Sequence, residues 1–272
     1  MKIIVYGMGI IGASIAAALK AAGHTVLGRN RSPEPLKIAL ERNMIDEVAS
    51  SYEGADVVIL ALPVKPTMRE LDEGHFPENA IVTDVCGVKG VLEELVYSKP
   101  RKYRYVGMHP MAGKEKSGIS VADANLFKGK NLVITVCDKT DASALEEVER
   151  LGRDAGFTRI VKCSAKAHDE KIALTSQLAH IVSNAYIKSS AAKDIVGFTG
   201  GSFQDMTRVG GVDENLWTDL YLNNRASLLA ETEGLIARLE QYCAALKSGD
   251  EEQLRSLLKE GRLAHEKHFS EK

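Results

Sequence analysis

Apolar and polar positions along the first 160 residues alternate between two periods. Short β-branched runs occur at Lys2–Tyr6, Thr25–Gly28, Ala55–Leu62, Ala80–Val85, Tyr103–Gly107, Asn131–Val136 and Thr158–Val161. Between several of them the spacing becomes helical, at Ile10–Ala22, Pro33–Arg42, Val88–Tyr97 and Ala142–Ala155. Strand–helix alternation of this kind predicts βαβ units and a doubly wound, mainly parallel sheet of the Rossmann type. Ser32-Pro33-Glu34 is a helix start, with a hydroxyl cap, proline in the first turn and an early acid. After Val161 strand signals stop. Ser164 can cap a helix, and helical periodicity runs almost to the end, broken at Gly197–Gly211 and at Ser248-Gly249-Asp250. The expected organisation is a dinucleotide-binding domain over 1–163 followed by an all-helical domain over 164–272.

Composition narrows the function classes. The 35 Lys+Arg and 37 Asp+Glu leave a net charge of −2, so the basic excess of a nucleic-acid or membrane-surface protein is absent. No run of 18 apolar residues occurs, so no membrane span is expected. The four cysteines contain no C-x-x-C, which argues against a zinc site or a disulfide scaffold and for a reduced, cytoplasmic chain with no metal. Lys2 and the small run Ala16-Ala17-Ala18 imitate a signal peptide, but glycines at 7, 9 and 12 interrupt the stretch between them.

Those glycines carry the first chemistry. Gly7-Met8-Gly9-Ile10-Ile11-Gly12 fits G-x-G-x-x-G, follows a strand and opens a helix. The first glycine permits the turn, the second lets backbone approach a pyrophosphate, and the third lets helix pack on strand. At the end of the second strand an NAD site carries Asp or Glu to bond the ribose 2′-hydroxyl. This chain has Arg29-Asn30-Arg31-Ser32 instead, two guanidiniums and a hydroxyl suited to a 2′-phosphate. NADP is favoured, with NAD as the alternative. Leu62-Pro63 and the Asp84–Gly87 loop also follow strands, where a doubly wound sheet places its ligand crevice. Cys86 reads as a packing residue. His109 follows a further strand, in the glycine-rich loop Gly107–Gly113, at the same predicted edge. That makes it the catalytic candidate, with Glu115 and Ser117 bordering the same cleft.

The stretch His109-Pro110-Met111-Ala112-Gly113-Lys114-Glu115-Lys116-Ser117-Gly118 resembles the central motif of prephenate/arogenate dehydrogenases. The resemblance continues in Asp84-x-x-Gly87-Val88-Lys89, His168-Asp169, Ser176-Gln177-Leu178-Ala179-His180, Gly200–Arg208 and Trp217. It implies a homodimer formed through the helical half and oxidative decarboxylation of prephenate or arogenate in tyrosine synthesis. By that resemblance His109 bonds the ring hydroxyl of the substrate, and Arg208 holds a substrate carboxylate. Glu115, Gln177, His180, Gly201 and Trp217 then line the substrate site. Three positions depart from the pattern. Gly87 stands where many members carry a serine that pairs with the histidine, leaving a water, Thr83 or Ser117 to orient His109. Gln177 replaces a common histidine, and Gln204 stands where some relatives have lysine. An acid on the helix after the tryptophan accompanies arogenate use. Spacing from Trp217 puts neutral Asn224 there, which favours prephenate. Two other readings remain: a β-hydroxyacid dehydrogenase using Lys171, and a non-catalytic NADP-binding sensor.

Overall fold

The computed structural model describes residues 1–113 and 118–270. The chain begins β1 (Lys2–Tyr6), α1 (Ile10–Ala21), β2 (Thr25–Arg29), α2 (Pro33–Glu41), β3 (Glu47–Val48), β4 (Val57–Leu60), α3 (Val64–Glu73), β5 (Ile81–Asp84), α4 (Gly90–Tyr97) and β6 (Arg104–Tyr105). Then come β7 (Met108–Pro110), β8 (Asn131–Thr135), α5 (Ala142–Asp154) and β9 (Arg159–Cys163). The helical remainder is α6 (Ala165–Ile172), a π-helical turn (Ala173–Leu178), α7 (Ala179–Tyr186), α8 (Gly201–Thr207), α9 (Glu214–Asn223), α10 (Arg225–Ser248) and α11 (Glu251–Ser270).

Six strands form a wholly parallel sheet in the order β3-β2-β1-β4-β5-β6. The direction of winding reverses between β1 and β4, and at such a switch point the carboxyl ends of the strands open a crevice for ligand. Alternation along β1 sorts its side chains. Ile3 and Val5 join Val57 and Ile59 under α1 and α5, whereas Ile4 packs with Val58, Leu60 and Val82 under α3 and α4. Both faces are covered, which is why β4 and β5 are buried along their whole length.

Three features depart from the sequence expectation. The parallel sheet ends at β6, and β7, β8 and β9 form a second sheet in which β7 runs antiparallel to β8. His109 therefore lies on a short strand, in register with Val133, rather than in a loop. Three residues between glycine-rich segments carry too little periodicity to announce a strand. The second departure is α3, which the proline at position 66 conceals. Proline is tolerated in the first turn of a helix, and Val64, Thr67 and Leu71 then form the buried stripe. Within the expected break Gly197–Gly211, α8 is likewise a helix.

Strands end at Cys163, but the chain separates into compact units at 224, giving Met1–Asn224 and Arg225–Lys272. Contacts within the first unit explain why α6 to α9 belong to it. Asp169 on α6 accepts from the backbone N–H groups of Lys89 (2.9 Å) and Gly90 (2.8 Å), and Lys65 on α3 pairs with Asp219 on α9 (3.2 Å). The second unit is a helical hairpin turned at Gly249, whose φ of +67° suits glycine. Among the described residues no helix is long and apolar enough to cross a membrane.

Candidate active site

The glycine-rich loop passes a geometric test for a dinucleotide. A Cβ on Gly7 would stand 2.1 Å from the Ala61 carbonyl oxygen, and one on Gly12 would stand 1.9 Å from the Gly7 carbonyl oxygen. Both positions are closed to any side chain. Gly9, by contrast, faces open space, with no atom within 4 Å of its would-be Cβ. Two glycines thus seat the loop against the end of β4, and the middle one leaves bare backbone for a pyrophosphate. Gly9 also opens α1 without a side-chain cap, so the helix N-terminus is left to a ligand. Ile10 and Ile11 turn partly into the core.

The loop is braced from β2. Asn30 Oδ1 accepts from the Met8 N–H (3.0 Å), while Asn30 Nδ2 donates to the Ser32 carbonyl (3.0 Å). Met8 thus anchors the loop, with its amide bonded to Asn30 and its side chain in the core. The Arg29 guanidinium lies over the rings of Tyr6 (5.1 Å) and Tyr52 (4.6 Å). Arg31 and Ser32 are exposed, and the Ser32 hydroxyl makes no capping bond to α2. Pro63 is exposed at the end of β4, and Leu62 is half-buried beside Gly7.

Asp84 lies at the centre of a buried hydrogen-bond cluster. It has no exposed surface and accepts from Lys89 Nζ (2.5 Å), the Tyr105 hydroxyl (2.6 Å) and the Cys86 N–H (2.7 Å). It holds the loop after β5 together. The Cys86 thiol is buried, and burial pushes its pKa up, so it packs and does not attack.

His109 is half-buried at the centre of this region. A Cβ on Gly87 would lie 3.7 Å from its Nε2 and Cε1 and 3.4 Å from Leu220 Cδ2 on α9. No hydroxyl occupies that place. Instead, His109 Nδ1 lies 2.9 Å from His168 Nε2, and His168 Nδ1 lies 2.7 Å from Asp169 Oδ1. Of the expected orienting groups, the Thr83 hydroxyl is buried without a hydrogen-bond partner, and Ser117 falls outside the described residues, as does Glu115. Burial holds the pKa of His109 well below the usual 6.5, reinforced by His168 and by the Lys89 ammonium. His168 and Lys89 both belong to the family resemblance, but nothing local in the sequence ties either one to His109. Fifty-nine residues separate the two histidines, and local patterning carries no signal across that gap.

Other expected site residues fall into three groups. Gln177 lies on the π-helical turn, an element often found at functional sites. It is buried, and its Oε1 accepts from Asn224 Nδ2 (2.7 Å). Asn224 is buried as well and also donates to the Asp169 carbonyl (2.8 Å). Its amide hydrogens are thus both engaged inside the protein, where Asn224 bridges α6 and the π-helical turn. His180 and Trp217 stack with ring centroids 3.8 Å apart. Gly201, Gln204 and Arg208 lie along or just after α8, exposed, with Phe203 of that helix against Tyr186 of α7. Lys171 is exposed on α6.

Comparison with known proteins bears on the whole chain. Residues 15–161 match the family model described as prephenate dehydrogenase, nucleotide-binding domain, and residues 164–260 match prephenate dehydrogenase, dimerization domain. Prephenate dehydrogenase of Bacillus subtilis is 30% identical over 269 residues, covering 93% of this chain and 72% of the relative. The crystal structure of prephenate dehydrogenase from A. aeolicus in complex with hydroxyphenyl propionate and NAD+ is 29% identical, with a TM-score of 0.86 and 98% of both chains covered. The Synechocystis arogenate dehydrogenase structure is 30% identical, with a TM-score of 0.81, covering 98% of this chain and all (100%) of that one. A glycine loop shaped for a nicotinamide dinucleotide, a histidine at the sheet edge and family models matched on both sides of residue 163 agree: the chain belongs to the prephenate dehydrogenase family.

Proposed function

We propose that this protein oxidatively decarboxylates prephenate to 4-hydroxyphenylpyruvate, with His109 as the general base and NADP+ as the preferred hydride acceptor. The observation that carries this reading is the position of His109, whose Nε2 borders the gap left by Gly87, in a buried setting that lowers its pKa and favours the neutral imidazole. A base works best when its uncharged form dominates at operating pH. A nicotinamide dinucleotide held at the Gly7–Gly12 loop would supply the acceptor for the C4 hydride. His109 takes the proton of the C4 hydroxyl as that oxygen becomes a carbonyl. The C1–carboxylate bond then breaks, its electron pair enters the ring, and His109 returns the proton to the phenol oxygen. Aromatisation supplies the driving force, so the protein has to position groups and manage charge. Arg208 offers a planar donor fork for a substrate carboxylate, and the stacked His180–Trp217 pair offers a flat apolar wall. The direct test is turnover of prephenate with release of CO₂ and 4-hydroxyphenylpyruvate. A purified chain that binds the dinucleotide without turnover would support the sensor reading instead.

Prephenate is favoured over arogenate because the far end of α9 offers an ammonium no unpaired carboxylate. Asn223 and Asn224 are neutral, and Asp219 is already paired with Lys65. The expected result is a higher kcat/KM for prephenate in side-by-side assays, and a preference for arogenate would overturn it.

The NADP preference rests on Arg31 and Ser32, since Arg29 is engaged by two tyrosine rings. Removing a charge-assisted hydrogen bond to the 2′-phosphate costs about 1.5–3 kcal/mol, or roughly a 10- to 100-fold rise in Kd. Arg31→Ala is therefore expected to weaken NADP+ binding by that factor and to leave NAD+ binding almost unchanged. Equal losses for both cofactors, read by fluorescence titration, would reverse the assignment.

Assembly as a homodimer is supported by the hairpin of α10 and α11, which leaves Ile236, Leu239, Leu246, Leu258 and Leu263 exposed. Side chains of this type on a long helix favour an isologous apolar interface. Sedimentation at micromolar concentration is expected to give a dimer, and a monomer there would contradict this assembly.

A further inference from the structure

We infer that His168 and Asp169 are positioning residues that set the tautomer of His109, leaving its Nε2 as the bare proton acceptor beside Gly87. The inference rests on the proposed role of His109 as base and identifies what prepares it in a chain without a hydroxyl at position 87.

The tautomers follow from the hydrogen-bond chain. A carboxylate offers only acceptor oxygens. Asp169 uses both of them on the backbone N–H groups of Lys89 and Gly90, at the start of α4, and Oδ1 also faces His168 Nδ1 at 2.7 Å. His168 Nδ1 must therefore carry hydrogen and donate it. In a neutral imidazole the other nitrogen then has only a lone pair. His168 Nε2 is thus an acceptor at 2.9 Å from His109 Nδ1, which must be the donor. That leaves the lone pair of His109 on Nε2, the atom 3.7 Å from the place where a residue-87 side chain would begin. Each link has one consistent direction, set by Asp169.

The same chain serves the charged state. When Nε2 takes up the substrate proton, His109 keeps its Nδ1–H bond to His168. The positive charge is then drawn toward Asp169, while the Lys89 ammonium, held by Asp84 at 2.5 Å, opposes it. His168 Nδ1–H stays on the carboxylate throughout, so a single proton enters and leaves at Nε2. Burial disfavours the charged form of His168 as well, and Asp169 partly offsets this.

Two variants and one spectrum test the inference. His168→Leu removes the acceptor, whereas His168→Gln can present an amide oxygen near the Nε2 position. The expected result is a ~10- to 100-fold loss of kcat in His168→Leu, the lower part of the range for general acid–base catalysis. The KM for NADP+ should hold steady, and His168→Gln should recover most of the activity. Nitrogen-15 NMR of the histidine rings in the free wild-type protein should show His109 as the Nδ1–H tautomer, and His168→Leu should shift it to a mixture. Wild-type His109 found with hydrogen on Nε2 would overturn the inference, as would an unchanged tautomer and kcat in His168→Leu. The spectrum requires no turnover, so it separates this inference from the role of His109. An active His109→Asn would refute the base while leaving the tautomer result standing.

Discussion

His109→Asn is expected to lower kcat by ~10²–10⁴, the range usual for loss of a general base. Asparagine keeps a polar group of similar reach but cannot accept and hold a proton. The cofactor loop lies on β1 and β2, so Kd for the dinucleotide should stay at its wild-type value. The pH profile supplies a second reading. Because the folded pKa of His109 is depressed, the imidazole stays neutral as pH falls through 6.5 and protonates only at lower pH. The acid limb of kcat/KM in the wild type should therefore lie below pH 6.5, and it should vanish in His109→Asn. Activity near wild type, or an acid limb unchanged in the variant, would place the base elsewhere.

Lys89→Met is expected to destabilise the Met1–Asn224 unit more than any surface substitution. Lys89 and Asp84 both have zero side-chain exposure, and their ion pair at 2.5 Å is completed by Tyr105 and by the Cys86 amide. Removing one partner of a buried pair strands the other charge, at a cost of about 3–5 kcal/mol. At roughly 2–4 °C per kcal/mol for a unit of this size, Tm should fall by about 10 °C. A second change, Asp84→Leu in the Lys89→Met background, removes the stranded carboxylate and should recover part of the loss. Thermal unfolding with no shift in Lys89→Met would show the pair to be dispensable, and a further loss in the double variant would contradict the stranded-charge account. The ammonium also lowers the pKa of His109, so Lys89→Met should move the acid limb toward higher pH.

The pair links stability to the site. Gly107 makes room for it, since a Cβ there would lie 3.2 Å from Lys89 Cδ and 2.7 Å from the Thr135 hydroxyl. The buried lysine occupies space that a side chain at 107 would take, directly before the strand that carries His109.

Sequence alone determined the parts whose physics is local. A five-residue β-branched run, three glycines at the spacing of a phosphate loop and a proline-led helix start each depend on neighbours within one or two turns. β1, α1 and α2 accordingly lie within a residue of their expected bounds. Ser164 caps α6 as its hydroxyl predicts, accepting from the Ala167 N–H at 3.2 Å. The family motif around His109 is also local, so the candidate base is legible in the sequence. Contacts between distant segments were decided only by tertiary structure. Alternation shows that a strand is buried but not which strands share a sheet, so the break between β6 and β7 was invisible. Asn224 reads as an exposed helix end, and only its approach to Gln177, 47 residues away, makes it a buried clamp. Asp84 reads as a loop acid at a ligand crevice until Lys89 and Tyr105 close over it. His168-Asp169 is part of the family resemblance, but no local pattern pairs it with His109. The two rings meet because Asp169 docks α6 on the N-terminus of α4, and a hydrogen bond across 59 residues is a property of the fold.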